Sequence, residues 1–317
     1  GGTVDIPAMM ITLRDGAKLK AHLDDGLLVK LGGDVMIGGP ELGDQLSPGS
    51  SRGPEYETHW LKPDIAAPGF NIHSAWAGGG AAPMLSGGTS MAAPHVAGAV
   101  ALLLERHPAW TPTIVKAALM NTAVQTRDEN GAPYPETRTG AGRLNPRLAI
   151  NTPVIATDAE SPGRVSLSFG LLEVGEPHLA KRSIELTNLG AQPWIGTFAV
   201  SNTLANAGVT LTAAKPTVVV PANGKATVEL TLAIDPAEVE LAFDATTPPE
   251  VKGGPRHVAH EASGQVWFHG ESASVHLPFH MLLRPAGEHR MKAGRVAVRQ
   301  LEGIAPVVLP LAGANPY

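Results

Sequence analysis

An apolar segment rich in small residues, entered through two glycines, constrains the fold of this chain more than any other feature. Gly87 and Gly88 permit a tight turn, and residues 90–106 then carry mostly alanine, glycine, valine and leucine. Pro94 falls in the first turn, where a missing N–H breaks no helical hydrogen bond, so the segment is predicted to be a helix. Its small side chains allow close packing on a sheet, and residues 96–104 predict a buried core helix.

Ser90 stands at the start of this predicted helix. A serine hydroxyl becomes a useful nucleophile only when a base removes its proton and the resulting oxyanion is stabilised. The free N–H groups and the dipole of a helix N-terminus favour negative charge. Ser90 is therefore a candidate nucleophile whose own N–H would contribute to an oxyanion hole. On these residues alone, the alternative is an ordinary helix start.

The neighbouring residues predict further elements. Residues 3–31 predict a strand, a short helix and a strand, and residues 62–69, KPDIAAPG, predict an extended segment because two prolines exclude a helix. Ile72 begins another short extended stretch. A second helix is predicted to run to Met120, with Thr111 as its N-cap and a proline at its first position.

From about residue 158 the sequence changes to short alternating runs separated by glycine, proline and Asn-Gly turns. About seven such runs favour an antiparallel β-sandwich of the immunoglobulin or fibronectin type III kind. The predicted strands are Arg164–Phe169, Ser183–Thr187, Ile195–Val200, Thr217–Val220, Ala226–Ala233, Gly264–Phe268 and Ser274–Phe279.

Composition excludes several classes of site and partner. The formal net charge of −5 is scattered and forms no basic stripe, which argues against nucleic acid as a partner. Cysteine is absent, so disulfides and thiol nucleophiles are excluded. No apolar run approaches the roughly 20 residues that span a bilayer. The abrupt start and the lack of a signal peptide suggest a segment of a longer precursor.

The string GTSMAAPHVAG at residues 88–98 closely resembles the serine motif of the subtilisin-like serine protease family, also called subtilases or peptidase S8. The resemblance extends, in the family's order, over about residues 50–146. Four further segments carry it: residues 50–54 (SSRGP), 62–69 (KPDIAAPG), 108–123 and 140–145 (GAGRLN). The residue before the motif is usually Ser or Asn in this family, and here it is Gly87, so the substrate-subsite geometry around residues 77–87 is expected to differ.

Looser resemblances suggest the domain order. Residues 1–32 resemble the end of a protease-associated (PA) domain, and residues 33–152 the C-terminal part of the peptidase domain. Residues 153–286 resemble a fibronectin type III-like domain, and 287–317 are expected to be a linker or truncated segment. The expected fold class is thus α/β, the C-terminal part of a subtilisin-like parallel-sheet domain, followed by an all-β antiparallel sandwich.

The resemblance implies a serine-type endopeptidase that acts on protein or peptide substrates and is secreted or displayed at the cell surface. Its triad Asp, His and oxyanion Asn are expected upstream of this chain, so the isolated fragment is expected to be inactive. His95, five positions after Ser90, points away from it on a helix, and His59, His73 and Asp64 lack the family context. The alternative is a non-catalytic substrate-binding or structural module.

Five histidines in the predicted β-domain were weighed as metal ligands. His276 and His280 share one strand face, but strand positions four apart are about 13 Å apart, too far for one ion. Ordinary surface histidines without acidic neighbours are the simpler interpretation of them and of His257, His260 and His269. We predict no metal and no cofactor in this chain. Calcium, which often stabilises subtilases, has no acidic loop of the required kind here.

Overall fold

The computed structural model describes residues 44–240, 242–247, 250–251, 254–255, 260–285, 290–291 and 311–312. The strand, helix and strand predicted within residues 3–31, and the predicted PA segment 1–32, lie outside these residues. So does most of the segment 287–317, of which only two short paired strands, Arg290–Met291 and Leu311–Ala312, are described. Everything below concerns the described residues.

The two predicted helices are present almost as the sequence indicated. Helix α1 spans Thr89–Arg106 and helix α2 spans Pro112–Asn121, with the Thr111 hydroxyl accepting a hydrogen bond from the Ile114 N–H. Two short helices follow, α3 at Glu136–Thr139 and α4 at Pro146–Asn151. Pro112, the first residue of α2, explains why the start of that helix was readable from sequence. Pro94 is the sixth residue of α1 and lies inside it, so its predicted place in the first turn is wrong. Helix α4 also begins at a proline but was not predicted.

The burial of α1 differs from the prediction of a core helix. Ala99 and Leu103 are buried, but Leu102 is 52% and Leu104 38% exposed. The buried side of α1 packs against α2 and α4. An alanine-rich helix is compatible with burial on every side, but here elements contact one side only, and no described sheet covers the rest.

No parallel sheet is formed within residues 44–152. A two-stranded antiparallel hairpin joins β1, Ile72–Ala75, to β2, Pro83–Ser86. The predicted extended segment around Asp64 makes isolated bridges instead, from Ile65 to Gly140 and, in parallel sense, from Ala66 to Arg143. The arrangement expected for a parallel-sheet domain is therefore represented in these residues by its helices and by single bridges.

The remaining strands form a five-stranded and a four-stranded sheet that share one apolar core. The strands are β3 Val154–Asp158, β4 Leu167–Val174, β5 His178–Asn188, β6 Trp194–Leu204, β7 Val209–Ala213, β8 Thr217–Val220, β9 Lys225–Ile234, β12 His260–Gly270 and β13 Ser274–Pro285. A two-residue pair, β10 Glu250–Val251 and β11 Gly254–Pro255, lies between β9 and β12 in the chain. The five-stranded sheet has the order β4-β13-β12-β6-β8 and the four-stranded sheet the order β3-β5-β9-β7.

Side-chain alternation places the core of this sandwich. Along β9, Val228, Leu230, Leu232 and Ile234 are buried while Lys225 and Glu229 between or beside them are exposed, which is the period of two that a half-buried strand requires. The largest fully buried side chains of both sheets meet in this core: Phe268, Phe279, Leu167, Ile184, Leu186, Leu230, Leu232, Leu277, Met281 and Leu283.

The sandwich is not purely antiparallel as predicted, because β4 runs parallel to β13. Alternation looks the same in parallel and antiparallel strands, so the sequence pattern could not give this direction. Two strands were also missed. In β3, four of five residues are buried, which removes the alternating pattern, and β7 is only five residues long.

Buried polar contacts join the helical part to the sandwich. Asn121, the last residue of α2, is fully buried; its Nδ2 donates to the His276 carbonyl on β13 at 2.8 Å. Its Oδ1 accepts from the Ala156 N–H on β3, also at 2.8 Å. A single amide thus links α2 to one strand of each sheet.

We predict that Asn121→Ala lowers the free energy of unfolding of this chain by about 3 kcal/mol, because a buried N–H and a buried carbonyl both lose their partner. Urea denaturation followed by circular dichroism measures the effect. Asn151→Ala is the matched control: that exposed amide bonds only to the Arg147 carbonyl within its own helix and should change stability by about 0.5 kcal/mol or less. Equal effects of the two changes would contradict the bridging role.

We also predict that Gly140→Ala destabilises the chain by about 3 kcal/mol or more. Gly140 has φ +61°, and a Cβ there would lie 2.3 Å from the Asp64 carbonyl oxygen, so backbone would have to move. Gly131 has φ +83° with open space around its Cβ position, so Gly131→Ala should cost only about 1 kcal/mol. The same denaturation series separates the two, and a Gly140→Ala chain as stable as Gly131→Ala would be inconsistent with the close approach.

Candidate active site

Ser90 is exposed in the first turn of α1, directly after a turn that only glycine adopts readily. Gly88 precedes the helix with φ +141°. The Gly88 carbonyl accepts from the Met91 N–H at 3.0 Å and from the Ala92 N–H at 3.3 Å. Among the described residues no hydrogen bond uses the Ser90 N–H, so that donor is available at a helix N-terminus, where negative charge is favoured.

The turn before Ser90 is held by the exit of the extended segment. The Gly88 N–H donates to the Gly69 carbonyl at 2.6 Å, and a Cβ on Gly69 would lie 2.8 Å from the Gly88 oxygen. A Cβ on Gly87 would meet the Phe70 ring at 3.2 Å. The Pro68-Gly69 bend therefore docks directly on the serine turn, and Gly87, unusual for the resembled motif, leaves room for the exposed Phe70.

The extended segment is fixed in turn by residues 140–144. The Ala141 N–H donates to the Asp64 carbonyl, and the Ala66 N–H donates to the Gly142 carbonyl, at 3.0 and 2.9 Å. The Leu144 N–H donates to the Ala66 carbonyl at 2.8 Å. These bonds form a continuous path from α3 through the extended segment to the turn that carries Ser90.

Asp64 serves as a charged anchor in this path. Its carboxylate contacts the Lys62 ammonium at 2.9 Å and the Lys116 ammonium at 3.3 Å. Burial by itself raises the pKa of Asp64, but the hydrogen bonds and positive charges of the two lysines outweigh burial and hold the pKa below its usual value. The carboxylate of Asp64 is thus paired with two lysines, which supports a structural role for this residue and not a place in the triad.

None of the weighed histidines in the helical part bonds to Ser90. His95 was expected to be packed, but it is exposed, and its Nδ1 lies 2.8 Å from the Met91 carbonyl of its own helix. His59 occupies a turn with φ +55°, where its backbone N–H donates to the Glu55 carbonyl. His73 is exposed on β1 opposite Leu85. The residues described thus bring Ser90 no base.

The interpretation of the β-domain histidines as surface residues is wrong for three of them. His260 is 6% exposed, and His276 and His280 are 2% and 0% exposed because the side chains on this face of β13 point into the junction with the helical part. The Nε2 of His280 lies 3.3 Å from the Glu261 carboxylate. His269 is exposed and stacks on Trp267, His260 bonds to the Glu240 carbonyl, and His257 lies outside the described residues.

Metal ligands do not converge in the described part of the chain, where no group of three or more His, Cys, Asp or Glu side chains is positioned to hold an ion. Nor does any helix described there combine the length and hydrophobicity needed to cross a bilayer.

Glu136 is a buried carboxylate that the sequence did not single out. It is 1% exposed and lies among polar groups of β6 and β12. No pattern around a single charged residue signals such burial.

An apolar groove of about 530 Å³ lies between α1 and α2. Val96, Val100 and Leu104 form one wall, and Trp110, Val115 and Leu119 form the other. Of these wall residues Leu104 is exposed, whereas Val96 and Val100 are half-buried and pack against the core of the helical part.

Comparison with known proteins gives a consistent result. The family model of the subtilase family matches residues 24–144, which include Ser90. The chain is 38% identical over 180 residues to the minor extracellular protease Vpr of Bacillus subtilis (strain 168), an alignment that covers 54% of this chain and 21% of that protein. It is 38% identical over 141 residues to the subtilisin-like protease SBT5.5 of Arabidopsis thaliana, covering 38% of this chain and 16% of the relative.

A third relative is the CO(2)-response secreted protease of Arabidopsis thaliana, 37% identical over 130 residues, which cover 35% of this chain and 17% of that protein. The chain therefore spans about a fifth of the length of these relatives. The matched region contains the serine turn and the segments that hold it in place. Residues 24–144, which include the serine turn and make up less than half of the chain, therefore match the subtilase family.

Proposed function

We propose that Ser90 is the nucleophile of a serine-type endopeptidase. The observation that carries the proposal is its position: an exposed hydroxyl in the first turn of α1, after the positive-φ Gly88, beside its own uncommitted N–H. The matched subtilase region includes this residue, and the relatives reported above are named as proteases.

In this mechanism the Ser90 hydroxyl oxygen attacks a peptide carbonyl carbon while a histidine accepts the hydroxyl proton. The Ser90 N–H donates to the oxyanion of the tetrahedral intermediate, together with an asparagine side chain. Collapse of the intermediate forms an acyl-enzyme on Ser90 and expels the amine, which receives the proton from the histidine. Water then attacks the acyl carbon and releases the second product.

We further propose that the histidine, its orienting aspartate and the oxyanion asparagine are supplied by residues upstream of Gly1 in a longer protein. Two features support this. The described histidines of the helical part do not bond to Ser90, and Leu102 and Leu104 of α1 are exposed apolar side chains. Because one triad member cannot activate itself, residues 1–317 alone are proposed to be inactive.

We also propose domain assignments for the segments of the chain, from the family resemblance of each. Residues 1–32 are proposed to be the end of a PA domain, residues 33–152 the C-terminal part of the peptidase domain, and residues 153–286 a fibronectin type III-like domain. Two of the relatives carry the words extracellular or secreted in their names, which supports a secreted or cell-surface protein acting on protein or peptide substrates.

A second candidate function is a non-catalytic substrate-binding or structural module. The observation that favours it is the same lack of a base beside Ser90 among the described residues. Aspartate, histidine and asparagine segments of subtilase type upstream in the natural protein would distinguish the peptidase from the module.

We predict that Ser90→Ala in the longer natural protein abolishes both hydrolysis of a peptide substrate and covalent labelling by a fluorophosphonate probe, because both require the serine oxygen. Turnover is measured by release of a chromophore and labelling by mass spectrometry. Ser201→Ala, at an exposed serine of β6, is the control and should leave both unchanged. Hydrolysis that survives Ser90→Ala would refute the assignment.

For residues 1–317 alone we predict no hydrolysis of casein above the level of the Ser90→Ala chain, because none of the histidines that the structure describes bonds to the hydroxyl. The two chains are compared at equal concentration after circular dichroism has shown that both are folded. Ser90-dependent casein hydrolysis by residues 1–317 would mean that a histidine of this chain serves as base, and the upstream-triad proposal would then be wrong.

A further inference from the structure

Three buried side chains form a line across the junction between the helical part and the sandwich. Glu136 of α3 lies 3.0 Å, Oε1 to Nε2, from Gln265 of β12. The Oε1 of Gln265 lies 2.8 Å from the Nδ1 of His276 on β13. The Nε2 of His276 in turn lies 2.9 Å from the backbone carbonyl of Ala123, which follows α2. The line therefore begins and ends in the helical part and crosses two strands.

Counting donors along this line reveals a conflict. With Gln265 donating to Glu136, its amide oxygen faces the His276 ring, and the Ala123 carbonyl oxygen faces the other ring nitrogen. A neutral imidazole carries one N–H and so cannot donate to both oxygens. Every hydrogen bond of the line can form if the ring is charged and Glu136 is ionised, although the buried Oε2 of Glu136 has no hydrogen-bond partner among the described residues. The alternative is that the amide is turned, the ring is neutral and Glu136 is protonated.

In the second arrangement the direction of every bond along the line is fixed. The Glu136 carboxyl O–H donates to the Gln265 oxygen, and the Gln265 amide N–H donates to the bare Nδ1 of His276. The Nε2–H of His276 then donates to the Ala123 carbonyl. Both arrangements hold the same number of protons, but this one places no charge in a fully buried site, where an ion is costly.

We propose that Glu136, Gln265 and His276 form a proton-linked switch at this junction, in which loss of the Glu136 proton turns the Gln265 amide and moves the ring proton of His276 from Nε2 to Nδ1. An ionised Glu136 accepts only, and a charge-assisted bond from the Gln265 N–H outweighs a neutral one. The Gln265 oxygen then faces Nδ1, and in the proposed state the single ring proton lies on that nitrogen. Nε2 is left as a bare acceptor against the Ala123 carbonyl.

Loss of the Glu136 proton weakens the contact between the helical part and the sandwich. At high pH the hydrogen bond from His276 to Ala123 is lost, and two acceptors face each other 2.9 Å apart. The neighbouring hydrogen bond from the Asn121 amide to the His276 backbone carbonyl involves no titrating group. The junction is thus tightest when Glu136 is protonated.

The surroundings of Glu136 and His276, the two titrating groups, shift their pKa values in opposite directions. Burial raises the pKa of Glu136 to about 7, although hydrogen bonds from Ser263, Thr203 and Gln265 lower it in part. Burial lowers the pKa of His276 to about 4, against a smaller opposing effect of the Ala123 carbonyl. Between these values both groups are neutral, and on raising the pH Glu136 is the first to change.

The sign of the stability effect follows from the Glu136 shift. The folded pKa of about 7 lies above the ordinary value of 4.5. Stabilisation by the protonated junction is therefore complete below about pH 4.5 and is lost as the pH rises through about 7. His276 acts in the opposite sense, because its depressed pKa penalises the folded state as the pH falls below 6.5 toward 4.

The other charged groups at this junction have partners of their own. Arg138 of α3 and Arg52 both contact the Asp244 carboxylate, at 3.5 and 3.1 Å. On the strand side, the Glu261 carboxylate pairs with His280 at 3.3 Å and accepts from the Thr137 hydroxyl at 3.1 Å. The exposed His269 stacks on Trp267, whose ring also lies 4.3 Å from the His276 ring.

The switch lies at the start of the path that holds the serine turn. Glu136 begins α3, and the residues that follow α3 bind the extended segment whose exit docks on Gly88. A looser junction would therefore relax the support of that turn. The switch itself does not depend on Ser90 being a nucleophile.

The test is a pH titration of the His276 ring in residues 1–317 labelled with ¹⁵N at histidine. Two-dimensional NMR distinguishes a protonated ring nitrogen from a bare one. We expect the proton on Nε2 below pH 6 and on Nδ1 above pH 8, with a midpoint near pH 7. A ring that keeps one tautomer throughout, or that is doubly protonated throughout, would overturn the proposal.

Variants assign the titrating group. Glu136→Gln cannot ionise, so its His276 ring should keep a single tautomer from pH 5 to 9; a switch that persists there would overturn the role of Glu136. Glu261→Gln removes the neighbouring buried carboxylate and should retain the switch with the same midpoint. If Glu136→Gln does not fold, Gln265→Met tests the relay, and the ring should then stop responding near pH 7. None of these readouts uses proteolysis, so they are separate from the test of Ser90.

Discussion

The buried polar contacts between the helical part and the sandwich are the constraint on which the arrangement of this chain depends. An apolar interface tolerates small shifts, but a buried amide or carboxylate that loses its partner incurs the full cost of desolvation. Asn121 links α2 to both sheets, and Glu136 and His276 cross the same junction a few residues away. Because each of these contacts needs a matching donor and acceptor, they restrict how the two parts can pack against each other.

That junction also determines where the serine turn lies. Residues 140–144 follow the buried α3 and bind the extended segment around Ala66, which ends in the bend that touches Gly88. Glycine is required at each close approach, at Gly140 against Asp64 and at Gly69 against Gly88. The Ser90 hydroxyl and N–H are consequently presented by backbone contacts that run back to the sandwich, not by α1 alone.

The outer side of α1 carries apolar side chains that are exposed or half-buried. Leu102 and Leu104 are exposed and Val96 and Val100 are half-buried, while the buried side packs as a normal helix interface. Exposed apolar residues and the uncommitted Ser90 N–H therefore lie on the same helix, as expected if the proposed upstream residues contact it.

The sequence by itself determined the local elements and the family. The two glycines before the small-residue run indicated α1, and Pro112 marked the start of α2. Alternation located most sandwich strands, the Asn223-Gly224 turn marked the start of β9, and the serine motif predicted the subtilase resemblance that the family match bears out. These features depend on neighbours within a few residues, which a sequence displays directly.

Only the tertiary structure decided which groups meet across long separations. The parallel pairing of β4 with β13 and the burial of His276, His280 and Glu136 depend on contacts between residues more than 100 positions apart in the chain. A histidine on an alternating strand looks the same in sequence whether its face meets solvent or a second domain. The physical reason is that burial and pKa belong to the assembled surroundings of a side chain and not to the residue itself.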